Sequence, residues 1–146
     1  METERIVALL DADAFFAECE RVSDPRLRGR PLVVVAGAKR RSVVLTSSYE
    51  ARAFGVKTGM VLHEACRLCP RLIVVENHPA LYLHLSREIE KIACEFTDRA
   101  EMSSVDEAYL DLTDVLGYFR CPAAELGRRI QSRIRAGASC EQLAEQ

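Results

Sequence analysis

The chain has 146 residues, 49% hydrophobic and 29% charged, with a formal net charge of −2. This supports one modest globular unit or two small lobes, excludes a long disordered or collagen-like chain, and argues against nonspecific coating of nucleic acid. No apolar run approaches the ~20 residues of a membrane helix, and the N-terminus lacks a secretory leader pattern, so a cytoplasmic protein without a membrane partner is expected.

Ile6-Val-Ala-Leu-Leu10 is a continuous apolar run of strand length that predicts an interior strand delivering Asp11 to a sheet edge. Asp13 is placed to cap a helix over about 14–23. Leu32-Val-Val-Val35 and Ser42-Val-Val-Leu45 read as a hairpin around the basic turn Gly37-Ala-Lys-Arg-Arg41, followed by a short helical piece from Ser48 to Arg52. Helical spacing from Val61 to Cys69 ends at Pro70, and Leu72-Ile-Val-Val75 is a further strand. A long helix is predicted from Pro79 to about Thr97, then a turn and strand within 101–112, then a last helix from Pro122 to Ala136. The tail from Gly137 has little that could form a core strand.

Alternating strands and helices with hairpin-like pieces predict an α/β fold, a mixed sheet covered by helices. Residues 24–78 could form a smaller inserted lobe. Residues 1–80 carry 12 basic and 10 acidic side chains and residues 81–146 carry 8 and 12, so the rear half is acidic. The six cysteines lack a second pair at metal-site spacing; those at 19, 66, 69 and 94 lie in helical patterns and are expected as buried free thiols.

Three carboxylates carry the chemistry: Asp11 at a strand end, and adjacent Asp106 and Glu107 near the start of another. If those ends meet, repulsion would be severe without cations, and magnesium prefers such oxygen ligands. Strict alternation would send Asp106 and Glu107 to opposite faces, while a turn or bulge at 104–107 would let both reach one site. Solvated turn acids are the competing reading. Tyr49 and Arg52 share a helical face, either as a surface pair or as a triphosphate clamp. Phe16 suits the core or the closure of a nucleotide pocket. No Walker loop or dinucleotide fingerprint is present, and His63, His78 and His84 share no catalytic spacing.

Asp11-Ala-Asp-Ala-Phe-Phe16, Ser48-Tyr-Glu-Ala-Arg-Ala-Phe-Gly-Val-Lys57 and Ser104-Val-Asp-Glu-Ala-Tyr-Leu-Asp111 together resemble the Y-family translesion DNA polymerases of the UmuC and DinB type. Pro31-Leu-Val-Val-Val and Leu68-Cys-Pro-Arg-Leu support the match, which covers about residues 5–135. The resemblance implies that Asp11, Asp106 and Glu107 are catalytic metal-binding carboxylates for two Mg²⁺ ions, with the Ala12 carbonyl a further ligand. It implies that Tyr49, Arg52 and Thr46 hold the incoming triphosphate and that Phe16 disfavours ribonucleotides. Residues 1–22 and 79–146 correspond to an incomplete palm and 23–78 to fingers, with the thumb and little-finger domains absent.

The implied reaction is template-directed transfer of a dNTP to a primer 3′ hydroxyl, with primer–template DNA, dNTP and a replication or repair protein as partners. Independent activity of so short a chain is doubtful in this reading. Alternatives are a noncatalytic nucleotide-, DNA- or protein-binding remnant and an untemplated nucleotidyl transferase. The incomplete sheet also predicts self-association.

Overall fold

Alternation along two strands organises the first of two structural units. In the computed structural model, which describes residues 4–12, 14–37 and 41–137, β1 (Val7–Asp11) pairs antiparallel with β6 (Glu107–Asp111). β6 pairs antiparallel with β5 (Ala100–Met102), giving the order β1-β6-β5. Ala108 and Leu110 point to a buried face and pack with Ala93 of α4 (Pro79–Phe96) and with Leu126 and Ile130 of α6 (Ala123–Gly137). Each large side chain buried there contributes about 1.5–3 kcal/mol. Val7, Leu9 and Tyr109, on the alternate positions, are exposed. The apolar run at 6–10 predicted an interior strand, but among the described residues β1 has one strand neighbour and one covered face.

Asp111 ends β6, where it accepts from the Thr113 amide (3.0 Å) and from Arg5 (3.2 Å). Hydrogen bonds from Thr113, then the Arg5 guanidinium, bring its carboxyl down to about 2 from the ordinary 3.8. A depressed carboxylate stabilises the fold above its unfolded pKa and loses that contribution as pH falls through the folded one. Thermal melts of Asp111→Asn are therefore expected to lose the part of the acid destabilisation that wild type shows between about pH 4 and pH 2. An unchanged acid limb would contradict this. A short helix not foreseen from the pattern, α5 (Leu116–Phe119), follows and ends at Arg120 in the left-handed region (φ 52°).

The second unit is built on β2 (Leu32–Val35), four consecutive buried residues, as befits a strand with neighbours on both sides. β3 (Val44–Ser47) pairs with it antiparallel and β4 (Ile73–Glu76) parallel. The expected antiparallel pairing of 32–35 with the strand after the basic turn forms, but that strand runs over Val44–Ser47 rather than 42–45, with an irregular register between Val34 and Val35, and Val43 bridges Val61. α1 (Phe15–Ser23), α2 (Tyr49–Arg52) and α3 (Leu62–Leu68) complete the unit, with a 3-10 turn at Pro25–Leu27. Val33, Val35, Val44, Ala51, Val56, Leu62, Ala65 and Cys69 form its core. α1 starts from Ala14 in the left-handed region (φ 49°) without a side-chain cap, and the cap expected from Asp13 lies outside the described residues.

The mixed α/β class therefore holds, with antiparallel pairing throughout the first sheet and the parallel pair in the second. The units comprise Met1–Asp13 with Leu83–Gln146, and Ala14–Tyr82. Within the second unit, α1 packs on β2 and β3. Of the cysteines expected to be buried, Cys19 and Cys69 are, whereas Cys66 and Cys94 lie on outer helix faces and are exposed. The tail after 137 lies outside the described residues. Among the described residues, no helix is long and apolar enough to cross a membrane.

Candidate active site

The register of β1 on β6 places Asp11 directly opposite Glu107. Ile6 accepts from the Leu112 amide and the Ala12 amide donates to the Asp106 carbonyl (2.9 Å), so the even residues of β1 turn their backbone groups toward β6. Asp11 and Glu107 are therefore a non-hydrogen-bonded antiparallel pair, the kind in which opposed side chains lie closest. Like charges so placed destabilise a sheet unless something positive intervenes. Both are on the open face, beside exposed Leu9 and Tyr109.

Asp106 precedes β6 in the hairpin loop, released from strict alternation. Its backbone joins Ala12, but its carboxylate accepts from the Ser104 hydroxyl (2.8 Å). Among the described residues, no three His, Cys, Asp or Glu side chains form a ready metal cage. Asp11 and Glu107 are brought together, and Asp106 is held alongside through the main chain. The hard, anionic oxygen donors of the pair fit magnesium by type, with open coordination positions for water or phosphate.

The other expected residues belong to the second unit. Tyr49 and Arg52 share α2, with the Arg52 guanidinium 5.0 Å from the Tyr49 ring centre. α2 is a single turn and depends on its flanks. Ser48 Oγ accepts from Ala51 N (3.3 Å) and Leu32 N (3.0 Å), while Ser48 N donates to the Leu32 carbonyl (2.9 Å). Thr46 lies on β3 opposite Val34. Phe16, in the first turn of α1, stacks on Tyr82 with ring centres 4.4 Å apart and planes 13° from parallel.

Two supports were not foreseen. Buried Arg21 donates to Glu50 (2.5 Å), to Glu18 (2.8 Å) and to the Arg30 carbonyl (2.9 Å), tying α1 to α2. The Arg21 bond holds the Glu50 carboxyl below its usual range. Buried Glu20 accepts from the Tyr82 hydroxyl (2.6 Å) and meets His78 Nδ1 (2.6 Å), fixing the ring under Phe16. Burial, then the Glu20 bond, pushes the Tyr82 phenol well above its usual range. Glu20 lies four residues after Phe16 on one helical face, a spacing visible in the sequence, but Tyr82 and Glu50 are reached only through tertiary packing.

The model of the impB/mucB/samB family matches residues 10–142. DNA polymerase IV of Pseudomonas savastanoi pv. phaseolicola is 40% identical over 132 residues, covering 90% of this chain and 37% of its own. That of Clostridium kluyveri is 43% identical over 110 residues, covering 75% and 28%. The crystal structure of DinB from Sulfolobus solfataricus superposes with a TM-score of 0.79 at 38% identity, over 88% of this chain and 38% of that one. The chain belongs to the impB/mucB/samB family, the DinB- and UmuC-like Y-family polymerases. It spans about 37% of the length of the Pseudomonas relative.

Proposed function

We propose that this chain is a catalytic fragment of a translesion-type DNA polymerase, transferring a deoxynucleotide from dNTP to a primer 3′ hydroxyl on a DNA template and releasing pyrophosphate. The observation that carries the reading is the cross-strand pairing of Asp11 with Glu107, with Asp106 joined to Ala12. The first unit takes the part of the palm and the second that of the fingers. Asp11, Asp106, Glu107 and the Ala12 carbonyl would hold two Mg²⁺ ions. Such ions lower the pKa of an attacking hydroxyl and offset the charge of the phosphoryl transition state.

The side chains perform the remaining tasks. Arg52 offers a planar fork of donors to triphosphate oxygens, and Tyr49 and Thr46 add single hydroxyl donors. Phe16, backed by Tyr82, presents a rigid apolar edge that disfavours a ribose 2′ hydroxyl. Primer–template DNA, dNTP and a replication or repair protein are the partners this reading implies. The engagement of Asp106 by Ser104 favours one second reading, a noncatalytic remnant that binds nucleotide, DNA or protein.

Template-dependent primer extension in Mg²⁺ separates the two. On the catalytic reading the chain extends a primer, and Asp106→Ala with Glu107→Ala reduces the rate by about 10³-fold or more, the equivalent of several kcal/mol of transition-state stabilisation. Extension surviving the double substitution would overturn the site assignment. Nucleotide binding without extension by wild type would select the second reading.

A further inference from the structure

We infer that Arg21 is a positioning residue for the α2 turn: through Glu50 it sets the direction in which Tyr49 and Arg52 are presented to a nucleotide triphosphate, an inference that rests on their proposed role in holding one. α2 has four residues, a single turn, too short to keep a helical shape by its own hydrogen bonds. Its orientation therefore comes from what its side chains grip. Ser48 fixes the start of the turn on β2, its hydroxyl oxygen accepting from the Leu32 amide and its amide donating to the Leu32 carbonyl. Ala51 sets one fully buried methyl into the core. Those two points leave a rotation about the line that joins them. Glu50 supplies the third point by accepting from Arg21 Nη2 (2.5 Å). The Arg52 guanidinium lies 5.0 Å from the Tyr49 ring centre, so the two groups change direction together when the turn rotates.

Arg21 has the features of an anchor. Its guanidinium is held by Glu18 of the same helix (2.8 Å) and by the Arg30 carbonyl (2.9 Å) independently of Glu50. A planar fork fixed by two acceptors offers its remaining donor in one direction, which a lysine ammonium would not do. The Arg21 side chain is 10% exposed and that of Glu50 36%, so the cation is buried while the carboxylate reaches it from the surface. Charge points the same way. Glu50 follows Tyr49 and stands two residues before Arg52, where an unengaged carboxylate would repel phosphate oxygens. Engaged by Arg21, its charge is offset and its bond orients the turn.

NMR shift titrations of the full 146-residue chain with inorganic tripolyphosphate and with dATP, each with Mg²⁺, test this. Arg52→Ala is expected to weaken both probes, which ties their binding to the turn. Glu50→Ala and Arg21→Met are each expected to weaken both by about tenfold, and the double variant by about the same factor, because all three lose one shared contact. Glu50→Gln keeps an acceptor for Arg21 without the charge and is expected to fall between wild type and Glu50→Ala. A bulk charge effect predicts the opposite sign at Glu50, with Ala and Gln both tightening the binding of an anion. Circular dichroism melts check that each variant folds, and should Arg21→Met not fold, the sign and order of the two Glu50 variants decide. A wild-type chain that binds neither probe, or binding untouched by Arg52→Ala, would remove the nucleotide reading and the inference with it. Binding that depends on Arg52 but is unchanged or tightened by Glu50→Ala, or losses that add in the double variant, would overturn the inference and leave that reading standing.

Discussion

Ser48→Ala is expected to destabilise the second unit by about 2–3 kcal/mol, the sum of a lost helix cap and of a buried amide left without an acceptor. Ser48 is fully buried, and its hydroxyl oxygen accepts from both Leu32 at the head of β2 and Ala51 in α2. Water cannot reach the site to replace either bond, so the cost exceeds that of an exposed cap. Urea unfolding should show a lower midpoint with an unchanged slope, because the native fold is weakened and the surface exposed on unfolding is not altered. Amide exchange at Ala51 and Arg52 should accelerate, since their helix is one turn long and has lost its anchor. A change below about 0.5 kcal/mol, the range of ordinary surface substitutions, would contradict this role for Ser48.

The sequence carries the elements more clearly than their neighbours. Leu32-Val-Val-Val35 is legible as one strand of a hairpin, and the structure makes it the central strand of its sheet, with all four residues buried. Ile6-Val-Ala-Leu-Leu10 carries the same signal, yet Val7 and Leu9 stay exposed and no described strand covers its outer edge. An apolar run states what a strand can tolerate, not which partner it has. The meeting of Asp11 and Glu107 was readable as a requirement of the chemistry, but the register that achieves it depends on pairing between residues about a hundred positions apart, which spacing does not encode. The escape of Asp106 from strand alternation follows from the turn signal of Ser103 and Ser104. The grip of Arg21 on Glu50 and the placing of Tyr82 under Phe16 are long-range packing outcomes, and no local pattern marks them.

Glu107→Gln is expected to reverse its effect with the cation present. In chelator, removing one of two carboxylates that face each other across a non-hydrogen-bonded pair should raise stability by about 0.2–1 kcal/mol. Little is lost in exchange, because the contact of the Ser103 hydroxyl with the Glu107 carboxylate is long at 3.5 Å. With Mg²⁺ the wild-type chain should gain stability by mass action while the variant gains much less, so the order of the two melting temperatures should invert at high Mg²⁺.

The most direct measurement follows the same residues through Mn²⁺ titration, read by the broadening of backbone amide resonances. Broadening is expected first at Asp11, Ala12, Asp106 and Glu107, and to be strongly reduced by Glu107→Gln. Broadening centred elsewhere, or unaffected by the substitution, would contradict a cation site between β1 and β6.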